Sequence, residues 1–118
     1  MAVASSDSSD SSDVTSLCVD AGVCRFRTTI RVCTNDEGNI QYDIESSCPH
    51  VKKVQDCLPS DITPFDALKM PFSENPIYEC CGKALAHSAC PVPSALIKAA
   101  EVAAGFGLKR NVCFTFEA

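Results

Sequence analysis

Two stretches near the front of the chain alternate apolar and polar residues. In residues 24–34, Phe26, Ile30 and Val32 take even positions and Arg25, Arg27 and Arg31 odd ones. In residues 39–46, Ile40, Tyr42 and Ile44 are even, and Gln41, Asp43 and Glu45 are odd. A period of two places one set of side chains on each face of a strand, so both stretches read as half-buried strands. Between them lies Asn35-Asp36-Glu37-Gly38, a tetrapeptide whose glycine accepts the left-handed backbone of a hairpin loop. Inward residues must face inward residues, so partner numbers sum to an even value near 72. At that sum Ile30 faces Tyr42, Arg27 faces Glu45, and Cys24 faces Cys48 at the open end of the hairpin. The arginines against Asp43 and Glu45 then form a solvated charge ladder, not an anion site.

Residues 14–19 add a short strand, broken by Asp20-Ala21-Gly22. Residues 108–117, with Val112, Phe114 and Phe116 on one face, predict a closing strand. Between these ends the period changes to that of helices. Pro49 opens a helix over about 49–58, with Cys48 before it and Val51, Val54 and Leu58 as its apolar stripe. A Pro-rich loop with a short helix near 64–69 follows. Residues 77–86 form a helix with Ile77, Cys81, Ala84 and Leu85 on one face and Cys80 at its edge. Residues 90–105 form the clearest helix, started by Pro91 and Pro93 and stopped by Gly105. Ala99, Ala100, Ala103 and Ala104 let it approach a sheet closely. The order predicts an α+β fold: a small antiparallel or mixed sheet, built from the hairpin 24–46 plus a C-terminal strand, with about three helices packed on one face.

Residues 1–13 stand apart. Their Ser-Ser-Asp repeat buries no apolar surface and reads as a solvating tail or an added segment, leaving residues 14–118 as a single cysteine-rich domain. The chain has 118 residues, and its net charge is −5, of which the three Asp of the tail supply −3. With ten Lys and Arg in all, a general role on nucleic acid is not expected. The apolar runs are too short for a membrane span, and the front of the chain has no secretory pattern, so the expectation is a cytoplasmic protein. A protein partner is left open.

Nine cysteines change the picture most. An odd number cannot pair completely, and a reducing compartment favours metal ligands or redox thiols over disulfides. Cys48-Pro49 and Cys90-Pro91 each set a thiol at a helix start, where the helix dipole and free N–H groups favour thiolate. With Cys24 beside Cys48 and Cys81 on the core face, four sulfurs, Cys24, Cys48, Cys81 and Cys90, would meet at one end of the sheet. Four thiolates suit a tetrahedral zinc or an iron–sulfur cluster. Cys80 is the nearest substitute for Cys81, and His50 and His87 are mixed-ligand alternatives. Two other readings stay open: a thiol redox protein attacking through Cys48 or Cys90, and an interaction domain whose cysteines are core residues. The chain has no glycine-rich phosphate loop, no G-x-S-x-G and no H-E-x-x-H, so the sequence lends no support to an enzyme.

Gly22-Val23-Cys24 leading into a hairpin, Ser47-Cys48 at its end, Cys81-Gly82, and Ala89-Cys90-Pro91 opening an alanine-rich helix together resemble the TSCPD domain. That resemblance spans about residues 24–104 and implies metal binding by the same four cysteines. It departs from the motif in reading Ala-Cys-Pro-Val and in its longer gap between the third and fourth cysteines. The body also looks like a family of small uncharacterised cysteine-containing proteins of anaerobic bacteria and archaea, which implies a reducing cytoplasm and no particular reaction.

Overall fold

The computed structural model describes residues 14–118; the Ser-Ser-Asp repeat lies outside the described residues. Three antiparallel strands form the sheet: β1 (Thr15–Asp20), β2 (Arg27–Thr34) and β3 (Ile40–Ser46), in the order β1-β2-β3. Four helices follow: α1 (Pro49–Cys57), the one-turn α2 (Pro64–Ala67), α3 (Pro76–Ala84) and α4 (Val92–Ala103), with a 3-10 turn at Phe72–Glu74. The architecture is α+β.

The alternation sorts the strands as expected. Val19, Thr28, Ile30, Val32 and Ile40 are buried on the inner face, with Tyr42 and Ile44 half-buried beside them. The register differs from the expected one by a single two-residue step. Thr34 pairs with Ile40, Val32 with Tyr42, Ile30 with Ile44 and Arg31 with Asp43. The reason lies in the loop. The Asn35 side chain accepts hydrogen bonds from the Glu37 and Asn39 N–H groups at 3.0 and 2.9 Å, and Gly38 sits at φ 83°. Asn35 N–H also donates to the Asn39 carbonyl at 3.0 Å. The loop therefore holds five residues, Asn35 to Asn39, and Thr34 and Ile40 close it. The step keeps inward facing inward, but it removes Cys24 from the position opposite Cys48. Cys24 lies before β2, in an exposed turn that Arg25 N–H closes onto the Gly22 carbonyl at 2.9 Å. Arg25 takes φ 64° there, Arg27 pairs with Asp20 of β1 at 3.3 Å instead of with Glu45, and of the three arginines Arg31 is the one that meets Asp43 and Glu45.

The C-terminal strand does not form. Gly105, at φ 83°, ends α4 where expected, and Phe106 N–H returns to the Glu101 carbonyl at 2.9 Å. Beyond it the chain is irregular, with Val112, Phe114 and Phe116 exposed. Alternation favours a strand but supplies no partner, and the place beside β2 is taken by β1.

The helices cover the inner face. α4 lies over β1 and β2, α1 lies over β3, and α3 packs against both α1 and α4. Ala99 and Ala100, both fully buried, let α4 sit close to the strands, and Leu96 fills the middle of the contact. Tyr42 ties the layers together by donating its O–H to the Leu96 carbonyl at 2.6 Å. Asn75 does the same for the helices. Its side chain accepts from the Ile77 and Tyr78 N–H groups at 2.8 and 3.3 Å, capping α3, and donates to the Ala67 and Lys69 carbonyls at 3.0 and 3.1 Å.

Candidate thiol centre

The described residues hold nine free cysteines in four settings. Cys18 and Cys33 lie on the outer face of β1 and β2, and Cys113 is exposed in the C-terminal segment. Of the other six, Cys24 lies in the β1–β2 turn and five lie on or beside the helices. Cys48 is the residue before α1, with extended backbone (φ −83°, ψ 122°), and its thiol is not used as a cap. Its N–H is held instead by the Ser46 hydroxyl at 3.1 Å. Cys57 ends α1. Cys80 and Cys81 are both buried in the middle of α3, so the helix hides both neighbours, where the apolar stripe placed only Cys81 inward. Cys90 is half-buried in the segment leading to α4. It stands one residue further out than expected, because Pro91 occupies the cap position.

The electrostatics link four of these thiols. Burial pushes the Cys90 thiol up, the Val92 backbone N–H at the start of α4 opposes this, and Cys48 and then Cys24 add smaller upward pushes. Burial likewise pushes Cys81 up to about 12, with Cys90 and then Cys57 adding to it. Cys24 and Cys48 thus act on Cys90, and Cys90 acts on Cys81. These pairwise influences run between the β1–β2 loop, the start of α1, the middle of α3 and the approach to α4. The expected thiolate at the α4 start is corrected at Cys90, because lost hydration outweighs the single helix N–H that reaches the sulfur. Neutral thiols therefore prevail at buried Cys81 and half-buried Cys90 at neutral pH.

Among the described residues, no group of three or more His, Cys, Asp or Glu side chains is arranged to hold a metal ion. His50 and His87 are both exposed. No helix among the described residues is long and apolar enough to cross a membrane.

A family model matches residues 15–116, covering all three strands and all four helices. It describes a family of unknown function (DUF6951). The chain belongs to this family. No curated protein and no solved structure matches the chain. The family's extent includes every cysteine of the protein, from Cys18 to Cys113. It also includes the exposed segment after α4, so that segment is part of the family's domain and not an appendage to it.

Two features of the centre were missed in the sequence. Cys57 belongs with the helical thiols, although nothing in its own helix pattern singles it out. Asn75, which fixes α3 and with it Cys80 and Cys81, precedes Pro76, and an Asn-Pro step before an apolar run is a legible helix-start signal.

Proposed function

We propose that this protein is a metal-binding module, a carrier, sensor or accessory protein, that takes zinc or an iron–sulfur cluster through Cys24, Cys48, Cys81 and Cys90. The observation that carries this reading is the linkage of Cys90 to Cys48, Cys24 and Cys81 across four separate chain segments. Thiolate sulfur suits both metals, and four thiolates complete either site. Three of the four lie outside regular structure, Cys24 in its turn, Cys48 just before α1 and Cys90 before α4, and binding would draw them toward the helix-borne Cys81. Because the Cys81 and Cys90 thiols hold their protons at neutral pH, loading must release protons, and affinity rises with pH.

The test is anaerobic purification with metal analysis and a visible spectrum. The expected result is one zinc ion or one coloured cluster per chain, lost when Cys24, Cys48, Cys81 or Cys90 is replaced by Ser. Replacing Cys18, Cys33 or Cys113 should leave it in place. Folded protein that takes up neither zinc nor iron and sulfide overturns the reading. The redox alternative requires a thiol that ionises readily, and the raised Cys90 pKa opposes that role for Cys90.

A further inference from the structure

α1 and α3 present a second pair of thiols, which the four-cysteine reading does not use. Cys57, the last residue of α1, is exposed, whereas Cys80 is buried at 4% in the middle of α3. Each sulfur makes its hydrogen bond to the backbone of the other helix. Cys57 Sγ donates to the Cys80 carbonyl at 3.8 Å, and Cys80 Sγ donates to the Val54 carbonyl, one turn back along α1, at 3.6 Å. Both helices are fixed by other means: α1 through buried Val51 and Val54, α3 through the Asn75 cap and buried Ile77. An accessible thiol against a buried one, on two fixed helices, is the arrangement of an attacking and a resolving cysteine.

We propose that Cys57 and Cys80 form a reversible disulfide that joins the end of α1 to the middle of α3 when the protein meets a low-molecular-weight disulfide. The Cys57 thiolate attacks one sulfur of that disulfide, forming a mixed disulfide and expelling one small thiolate. Cys80 then gives its proton to water and attacks the Cys57 sulfur, expelling the second small thiolate. Two protein thiols are oxidised to one disulfide, and the small disulfide is reduced to two thiols, which take up the two protons. Cys57 and Cys80 lie outside the ligand set Cys24, Cys48, Cys81 and Cys90, although Cys80 is next to Cys81 in α3.

The experiment treats the metal-free full chain with oxidised glutathione, blocks remaining thiols and maps tryptic peptides without reduction. The expected product is a link between the peptide carrying Cys57 (residues 54–69) and that carrying Cys80 (residues 70–83), with the loss of two hydrogens, reversed by dithiothreitol. It should also form in Cys81→Ala, which separates Cys80 from its neighbour. Oxidation should raise the urea midpoint of the parent but not of Cys57→Ala, a change at an exposed position that leaves the fold in place. A link that persists in Cys80→Ala, a Cys57 that stays glutathionylated, or preferential pairing of Cys57 with another cysteine overturns the proposal. Metal uptake by Cys57→Ala equal to the parent's keeps this outcome separate from the test of the metal centre.

Discussion

The two faces of the sheet carry the same residue type under opposite conditions. On the outer face, Cys18 and Cys33 sit among Arg27, Arg31, Asp43 and Glu45, and among the described residues no position on that face is buried. On the inner side, Cys80 and Cys81 lie in a helical layer beneath which Ile30, Val32 and Ile40 are nearly sealed from solvent. A thiol becomes distinctive here through what covers it and which other thiols share the cover. Nine cysteines by count resolve into two thiols on the outer face of the sheet, one in the C-terminal segment, one in the β1–β2 turn and five on or beside the helices.

Ile30 breaks the inner side most directly. It is fully buried at the centre of the middle strand, so Ile30→Ala removes its methyl groups and leaves a cavity between β2 and α4. The expected loss is about 2–5 kcal/mol in urea unfolding. A loss below about 1 kcal/mol would mean that the helices are not packed against this face as described.

Asn75→Ala tests whether the thiol layer depends on one polar residue. The side chain makes four hydrogen bonds, and its removal strips the α3 cap and leaves the Ala67 and Lys69 carbonyls without that donor. The expected cost is about 2–3 kcal/mol, combining a lost cap with buried groups left unpaired. Cys80 and Cys81 should then alkylate faster than in the parent, while Cys18 and Cys33 stay unchanged. Equal acceleration at all four would show general loosening instead of a local role.

The helices were legible because prolines mark their starts and Gly105 marks the last stop. The parity of the strands was legible because Ile30, Val32 and Ile40 cannot face water together. Register was not, since it turns on the Asn35 side chain replacing backbone bonds inside the loop, an interaction that alternation does not encode. The C-terminal segment misled for a related reason: Val112, Phe114 and Phe116 state a preference, and pairing depends on an edge elsewhere. The grouping of Cys24, Cys48, Cys81 and Cys90 was reached through a register that is two residues off. Cys48 and Cys90 lie beside helix starts, which do not move with the hairpin, and the pairwise influences among the four run through Cys90. Cys57 stayed hidden because its partner Cys80 is on another helix, and helix–helix packing is not written in either helix's own period.

Tyr42 gives a pH-dependent contrast. Burial, and then Cys81, raises its phenol well above the ordinary 10.0. The folded state therefore holds this proton more tightly than the unfolded chain does. Its contribution is complete below about pH 10 and is lost as pH rises from there toward the folded value. Tyr42→Phe should cost about 1 kcal/mol near pH 8, through the lost bond to the Leu96 carbonyl. It should then unfold less steeply with alkali than the parent. Parallel alkaline curves for the two proteins would place the sensitive proton elsewhere, the buried Cys81 being the next group to examine.

Arg31 sharpens the comparison at its smallest scale, since it is the residue after Ile30 and points to the other face. Its guanidinium lies 3.0 Å from Glu45 and 3.4 Å from Asp43, and its pKa is raised, chiefly by the hydrogen bond to Glu45. All three side chains are well exposed, at 42% for Arg31 and 70% and 68% for the acids. Water and salt screen such pairs, so Arg31→Ala should change stability by no more than about 0.5 kcal/mol, and by less as salt is added. A larger, salt-independent loss would mean that this face is covered in solution, and would end the distinction between a sealed thiol layer and an open sheet surface.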